Sequence, residues 1–271
     1  MYLTLQVDRK DGVATVWMNR PELHNAFDET VIAELTQVLR ELDDDSGARV
    51  VVLAGRGKSF SAGADLNWMK RAAGYSVEEN LRDARALAGM LRTLAFLSKP
   101  TVARVHGAAI AGGMGLVSAC DIAVASAQAS FATSEVRFGL IPAAISPYVM
   151  AAIGERQARR YFLTAERISA AGALQLGLVH EVTSPEQLDA KMNEIVGALL
   201  AGGPKSQAAA KELIRAVANR PITKALVEET AQRIAALRAT PEAMEGVSAF
   251  LEKRPAAWVT VVPSSRSQEE G

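Results

Sequence analysis

The chain has 271 residues, of which 49% are apolar and 22% charged, an ordinary composition for a globular protein with one substantial core. Its 30 basic residues balance its 30 acidic residues, which argues against a global attraction for nucleic acid or an anionic membrane. A single cysteine, Cys120, excludes an internal disulfide, and three scattered histidines offer no metal-ligand spacing.

The beginning of the chain predicts two strands and a helix. The strands are expected at residues 2–7 and 13–18, with Asp11-Gly12 as the turn between them. The first strand lacks the basic segment and long apolar run of a signal peptide, which predicts a cytoplasmic protein. A helix started by Asp28 should follow and end in the acidic stretch at residues 43–47.

Strands and helices then continue to alternate. The pattern predicts a strand at 50–54, a helix at about 77–97, a strand at 101–105, a short helix at 111–119 and a strand at 121–125. Short buried strands that alternate with helices favour an α/β architecture with covered sheets. From about Pro142 onward the pattern is nearly all helical, and the polar tail at 262–271 is predicted to be frayed. The predicted organisation is a core at 1–200 and a helical region at 201–271.

Two loops share one design, in which a buried strand leads through small residues to a helix start. They are residues 60–66 and 106–115. Free N–H groups at a helix start suit a developing negative charge, and residues without bulk let a ligand approach the backbone. The two loops could form a two-donor oxyanion hole, although tight helix–strand packing also requires Gly and Ala.

Four segments carry a more specific signal. They are residues 57–66, Lys99-Pro100-Thr101 with Gly107 and Gly112-Gly113, Cys120-Asp121-Ile122-Ala123, and Gly139-Leu140-Ile141-Pro142. In order and spacing, from about Val7 to Trp258, they resemble the enoyl-CoA hydratase/isomerase (crotonase) superfamily. The resemblance implies an α/β fold, a crotonase-like spiral of ββα units with a helical C-terminal trimerisation region. It also implies a homotrimer, or a hexamer that is a dimer of trimers.

The resemblance further implies a substrate and a binding site. The backbone N–H groups of Ala62 and Gly112 would hold the thioester oxygen of an acyl-CoA, and losing one such donor typically costs about 3 to 4 kcal/mol. Coenzyme A is part of the substrate, so neither a separate cofactor nor a metal is implied. The CoA-binding residues implied are Leu23, Ala26, Ala62, Gly63, Ala64, Asp65, Leu66, Phe250 and Lys253. Lys253 would face phosphate, with simple solvation as the alternative.

The acid/base residue is Glu135 by the same resemblance. Typical hydratases of the family use two glutamates to activate water, but the second position here holds Gly115. A dry pocket would raise the pKa of Glu135 toward the operating pH, whereas an ion pair with Arg137 or a distant arginine is the structural alternative. One carboxylate could serve hydration, or it could serve a Δ3,Δ2-enoyl-CoA isomerase as sole base.

Residues 141–149, taken with Gly115 and residues 64–69, resemble the methylglutaconyl-CoA and carboxygeranoyl-CoA hydratase branch. Those enzymes of leucine and acyclic-terpene breakdown hydrate a branched enoyl group that carries a second carboxylate. The resemblance therefore predicts an enoyl-CoA hydratase, a hydro-lyase, acting on a branched 2-enoyl-CoA. Lys70 and Arg71 are candidate partners for the second carboxylate, and a solvated helix face explains them as well.

Two predictions of another class stay open. One is an RNA-binding protein, which the neutral charge balance and the absence of a lysine-rich stripe disfavour. The other is a CoA-ester-binding protein without turnover, which Gly115 motivates.

Overall fold

The computed structural model describes residues 1–259 and divides the chain into two compact units, Met1–Val196 and one that begins at Gly197. The predicted frayed tail at 262–271 lies outside the described residues. Within residues 1–259, no helix is long and apolar enough to cross a membrane.

The first unit is built on a six-stranded sheet. Its strands are β1 (Leu5–Lys10), β2 (Val13–Met18), β3 (Val50–Gly55), β4 (Thr101–Val105), β6 (Ile122–Ser126) and β9 (Glu181–Thr183), in the order β1-β2-β3-β4-β6-β9. The first pair is an antiparallel hairpin turned by Asp11 and Gly12, both with positive φ. All other pairs in this sheet are parallel. Every residue of β3 is buried, as expected for a strand covered on both faces.

The predicted strand at 2–7 begins later than expected. The amides of Leu3 and Thr4 donate to the carboxylate of Glu34 at 2.7 and 2.8 Å, so they are not available to a neighbouring strand. A second sheet of β5 (Ala108–Ile110), β7 (Ser130–Ala132) and β8 (Ile168–Ser169) lies outside the predicted elements. These strands have only two or three residues, too few to establish an alternating pattern.

Helices cover the large sheet in the first unit and form most of the second. They are α1 (Glu29–Asp44), α2 (Leu66–Ala72), α3 (Val77–Ala95), α4 (Gly112–Ala119), α5 (Ser146–Thr164), α6 (Ala170–Leu176), α7 (Leu188–Ala201), α8 (Pro204–Val217), α9 (Lys224–Arg238) and α10 (Pro241–Leu251). Asp28 begins α1 by accepting a hydrogen bond from the Val31 amide at 2.9 Å, as predicted. The mixed α/β architecture with a helical C-terminal region is confirmed.

Candidate active site

The two glycine-containing loops lie side by side and share backbone hydrogen bonds. The Ser61 amide donates to the Ala108 carbonyl at 3.0 Å, and the Ile110 amide donates to the Ser61 carbonyl at 2.9 Å. A Cβ atom on Gly113 would lie 2.6 Å from the Ser61 carbonyl oxygen, so glycine is required for this close approach. The two loops therefore form one structural unit at the ends of β3 and β4.

The amide of Ala62 already has an acceptor within the protein. It donates to the carbonyl oxygen of His24 at 2.9 Å. The prediction that Ala62 supplies an oxyanion-hole donor is therefore wrong, because its N–H is used in holding the loop to the preceding segment. The side chain of Ala62 is nevertheless exposed at the mouth of the loop.

Ala64 holds the available amide of this loop. On one side of it, the Phe27 amide donates to the Gly63 carbonyl at 2.7 Å, and on the other, the Asp65 amide donates to the Phe27 carbonyl at 2.8 Å. Ala64 lies between these two residues and pairs in parallel with Phe27, so its own N–H points away from Phe27. Among residues 1–259 the Ala64 N–H meets no backbone or side-chain acceptor. The structure thus replaces Ala62 by Ala64 as the candidate donor.

Gly63 separates two alanines whose amides point in different directions. In a regular strand, amides two residues apart face the same way, so Ala62 and Ala64 would be equivalent. Gly63 has φ 90°, a left-handed conformation that interrupts this alternation. A Cβ atom here would also lie 3.0 Å from the Ile110 carbonyl oxygen and 3.1 Å from the Ala111 Cβ. A glycine between two alanines was the only signal for this turn in the sequence.

The amide of Gly112 lies at the first turn of α4, where helix N–H groups lack intrahelical acceptors. The preceding Ala111 provides no side-chain cap and has φ 49° and ψ −116°, a strained backbone conformation for alanine. Its amide donates to the Ala132 carbonyl at 2.7 Å, which holds the turn in place. In the described part of the chain the Gly112 N–H has no acceptor, as an oxyanion-hole donor requires.

A half-buried ion-pair network supports the first loop. Asp65 caps α2 by accepting from the amides of Asn67 and Trp68 at 2.8 and 3.2 Å. Arg20 lies 3.0 Å from Asp65 and 3.0 Å from Asp28, the residues that cap α2 and α1. Burial alone would raise the pKa of Asp65, but these amides and Arg20 outweigh it and lower the pKa. The Asp65 side chain is thus committed to the fold, and any contact with CoA would come from its backbone.

The other residues expected to bind CoA fall into two groups. In the first unit, Leu23 and Leu66 are exposed to 40% and 73%, whereas Ala26 is buried. In the second unit, Phe250 is 83% exposed, and Lys253 follows α10 with φ 55°. Exposed apolar side chains of this size suit contact with a ligand or another chain. The CoA-binding role of these residues stays a prediction.

Glu135 begins a 3-10 turn at Glu135–Phe138 and points a carboxylate oxygen into the protein. In the range 1–259 its Oε2 atom is buried without any hydrogen-bond partner. The alternative partner, Arg137, instead donates to the Ala165 carbonyl at 3.1 Å. Burial raises the pKa of Glu135, and a hydrogen bond to its own backbone amide only partly opposes that effect. Such an unpaired, desolvated carboxylic acid is suited to general acid/base chemistry.

Apolar side chains fill the space beside Gly115, the position of the missing second glutamate. A Cβ atom on Gly115 would overlap the Cγ2 methyl of Ile145 and would lie 2.9 Å from the Ile145 Cβ. The Cδ2 atom of Leu91 closes another side at 3.6 Å. The position at which the resemblance implies a second glutamate therefore holds a glycine with no room for a side chain.

The candidate partners of a distal carboxylate differ in their contacts. Arg71 lies 2.7 Å from the Glu29 carboxylate, with both side chains about half exposed, so this guanidinium is already paired. Lys70 is exposed on α2.

Metal ions are most often bound by His, Cys, Asp and Glu side chains. Within residues 1–259, no group of three or more of these side chains could hold a metal ion.

Replacing Glu135 with Gln is expected to stabilise the fold at alkaline pH. Because burial raises the pKa of Glu135 above its unfolded value, its ionisation opposes folding once the pH rises through the folded pKa. The melting temperature of the variant should therefore exceed that of the wild type at about pH 8. The difference should disappear near pH 4 and below, where the glutamic acid is protonated in both states.

Glu166→Gln is the control, because its effect on the melting temperature should have the opposite sign. The hydrogen bonds from Arg160 and Thr164 lower the pKa of Glu166, so its contribution to stability is present at neutral pH and lost on acidification. Melting curves at several pH values would compare the two variants. A Glu135→Gln protein that is less stable than the wild type at pH 8 would contradict a buried, unpaired carboxylate.

Known proteins resemble this chain along nearly its whole length. A family model described as Enoyl-CoA hydratase/isomerase matches residues 8–260. A putative enoyl-CoA hydratase of Thermus thermophilus is 37% identical over 251 residues, which cover 91% of this chain and 97% of that protein. A short-chain-enoyl-CoA hydratase of Clostridium acetobutylicum is 32% identical over 255 residues, 92% of this chain and 94% of that protein.

Solved structures agree with the sequence relatives. The structure of an enoyl-CoA hydratase from Shewanella pealeana superposes with a TM-score of 0.92 at 43% identity, covering 94% of this chain and 96% of that one. The structure of Pseudomonas aeruginosa AtuE gives a TM-score of 0.90 at 34% identity, covering 95% of this chain and all of that one (100%).

Proposed function

Because this chain belongs to the enoyl-CoA hydratase/isomerase family, we propose that it adds water to a branched 2-enoyl-CoA of the methylglutaconyl-CoA type. The coarser activity, that of an enzyme of the enoyl-CoA hydratase type acting on an acyl-CoA thioester, follows from the family. The finer proposal concerns the acyl group and the residues that act on it.

The thioester oxygen is proposed to accept hydrogen bonds from the N–H groups of Ala64 and Gly112. The support is that both amides lack acceptors in residues 1–259, while the loops that carry them are bonded to each other. As charge develops on the oxygen, fixed amides stabilise it without reorganising. The strained Ala111 and the left-handed Gly63 hold the two donors in place.

Glu135 is proposed to move the protons. Its carboxylate takes a proton from water while the water oxygen bonds to the β-carbon of the substrate. The electron pair of the C=C bond then moves through the α-carbon onto the thioester oxygen, forming an enolate. When the enolate collapses, the protonated Glu135 gives its proton to the α-carbon and the carboxylate is regenerated. The single observation that carries this role is the buried Oε2 atom with no partner in the described residues.

The rest of the proposed binding arrangement involves CoA and a second copy of the chain. Leu23, Leu66 and neighbouring backbone would line the CoA groove, and Lys253 of an adjacent subunit would face a phosphate. This arrangement requires a homotrimer or a hexamer, and the protein is proposed to act in the cytoplasm. The exposed lysine Lys70 is the candidate partner of a distal carboxylate, since Arg71 is paired with Glu29.

A paired assay on the purified protein tests the proposed function. We would offer 3-methylglutaconyl-CoA, crotonyl-CoA and a 3-enoyl-CoA separately and follow the absorbance of the conjugated thioester. Loss of absorbance with methylglutaconyl-CoA, at a higher kcat/KM than with crotonyl-CoA, is the expected result. A higher kcat/KM for crotonyl-CoA would refute the proposal that the substrate is branched. No change in absorbance with any of the three substrates would indicate a CoA-ester-binding protein without turnover.

Isomerase activity is the second candidate, because a site with Glu135 as the only family carboxylate can shuttle one proton without water. The carboxylate would take a proton from the α-carbon of a 3-enoyl-CoA and return it to the γ-carbon. A gain of conjugated absorbance with the 3-enoyl-CoA, in the absence of hydration, would establish this activity in place of the first.

A further inference from the structure

Asn25 is a buried polar residue whose side chain is hydrogen-bonded on both sides. It is 1% exposed, and its Oδ1 atom accepts from the Arg20 amide at 2.9 Å. Its Nδ2 group donates to the carbonyls of Arg56 and Ser59, each at 2.9 Å, and to that of Phe60 at 3.2 Å. Because one side faces an amide and the other faces three carbonyl oxygens, the site requires both the acceptor and the donors of a carboxamide.

The three carbonyls belong to residues 56–60, which lead from β3 into the loop at 60–66. The chain closes tightly around the carboxamide. A Cβ atom on Gly55, the last residue of β3, would lie 2.8 Å from the Asn25 Nδ2 atom and 2.6 Å from the Phe60 carbonyl oxygen. Buried carbonyls that lose a donor are costly, so the Asn25 side chain stabilises this turn.

The backbone around Asn25 also contacts the loop that carries Ala64. Asn25 has φ 54°, a left-handed conformation that asparagine adopts more readily than most residues. Its carbonyl accepts from the Ser61 hydroxyl at 2.8 Å. Two residues further on, the backbone of Phe27 bonds to the residues on either side of Ala64. Residues 25–27 therefore run beside the loop, and the direction of the Ala64 N–H depends on their position.

We propose that Asn25 is a positioning residue for the oxyanion hole. Its carboxamide fixes the segment that enters the loop, and its backbone carbonyl fixes Ser61 within the loop, so that the Ala64 N–H faces the thioester oxygen. Since Asn25 is buried, it acts through Ala64 and not by contact with the substrate. This inference rests on the proposed function in one respect, the role of Ala64 as a donor.

Replacing Asn25 with Asp tests the carboxamide at constant shape. At neutral pH the carboxylate would face three carbonyl oxygens with no hydrogen to donate, so residues 56–60 should be displaced. We expect kcat, measured well below the melting temperature, to fall by about 10²-fold, the lower end of the loss for a missing oxyanion-hole donor, with KM much less affected. The matched control is Asn219→Asp, because Asn219 is exposed and has a similar left-handed φ of 58°. It should leave both constants unchanged.

Asn25→Gly decides the question if the aspartate variant does not fold. Glycine adopts a left-handed φ without strain. It also introduces no charge that could compete for Arg20, which pairs with Asp28 and Asp65. The three carbonyls lose their donor, so the same loss, mainly in kcat, is expected. Asn219→Gly is the control for this variant.

A binding measurement separates this inference from the proposed reaction. The probe is hexanoyl-CoA with an isotopic label at the thioester carbonyl, which can be neither hydrated nor isomerised because its acyl chain has no double bond. In the wild type, two N–H donors should lower the infrared C=O stretching frequency of the bound thioester relative to the free one. About half of that lowering should be lost in the Asn25 variants, because one of the two donors is displaced. A loss of stability alone would leave the frequency in the folded protein unchanged.

The outcomes distinguish the positioning role from the function on which it rests. Folded Asn25 variants with the kcat and the carbonyl frequency of the wild type would overturn the positioning role and leave the two donors in place. If the wild type lowers the frequency but converts none of the proposed substrates, the proposed reaction is refuted, and the frequency in the Asn25 variants still decides the positioning role. A wild type that does not lower the frequency would refute Ala64 and Gly112 as donors, and the positioning role with them.

Discussion

Replacing Glu135 with Gln is expected to lower kcat/KM for hydration by about 10²- to 10⁴-fold, the usual contribution of a positioned general acid/base. Glutamine keeps the shape of the side chain but can neither take a proton from water nor deliver one to carbon. Because Oε2 has no partner in residues 1–259, no structural hydrogen bond from this atom is lost. Steady-state kinetics with the preferred substrate would measure the effect.

The control for this substitution is Glu166→Gln, which makes the same chemical change at an exposed site paired with Arg160. It should leave kcat/KM unchanged. Melting curves must show that the Glu135→Gln protein is folded, as we expect because ionisation of the buried glutamate opposes folding. A folded variant that keeps more than about a tenth of wild-type activity would show that another group moves the protons.

Replacing Gly112 with Ala is expected to lower kcat by about 10²- to 10³-fold, the loss typical of removing one oxyanion-hole donor. The added Cβ would lie 2.6 and 2.8 Å from the Cε2 and Cδ2 atoms of Phe27. Phe27 is buried, and its own backbone holds Gly63 and Asp65, so the ring cannot simply turn away. The first turn of α4 must shift instead, and the Gly112 N–H shifts with it.

Gly89→Ala is the matched control, because a Cβ atom there meets nothing within 4 Å on the exposed side of α3. It should leave both kcat and KM unchanged. For Gly112→Ala we expect the loss mainly in kcat, since the donor acts on charge that is greatest in the transition state. An effect confined to KM would argue that the Gly112 amide does not contact the thioester oxygen.

The large elements of the fold could be predicted from residue patterns, and the small ones could not. The buried run at β4 predicted the strand with its observed ends, and the apolar stripe of α1 predicted the helix with its cap at Asp28. The strands β5, β7 and β8 are held by pairing with each other in a separate sheet. Their existence depends on tertiary contacts that no local pattern contains.

In the candidate site, too, some residues could be predicted from motifs, whereas others depend on tertiary structure. Glu135 and Gly112 were predicted from motif position, and in residues 1–259 the Oε2 atom of Glu135 and the N–H of Gly112 have no hydrogen-bond partner. The candidate donor at Ala64 was missed because the direction of its N–H depends on a single left-handed φ at Gly63. The occupation of the Gly115 space by Ile145 was also missed, since it depends on how α4 and α5 pack and not on either local sequence.

The left-handed turn at Gly63 also determines which mutations in residues 61–65 keep the backbone geometry of this loop. Codon changes at Ala62 or Ala64 to any residue except proline alter the side chain but keep the backbone N–H, which at Ala62 donates to the His24 carbonyl. Loss or gain of one codon between Ser61 and Asp65 would instead shift which amide follows the turn, and the unpaired donor would face the wrong way. Substitutions can therefore vary the side chains of this loop while its backbone geometry is kept, whereas a change in loop length removes that geometry in one step.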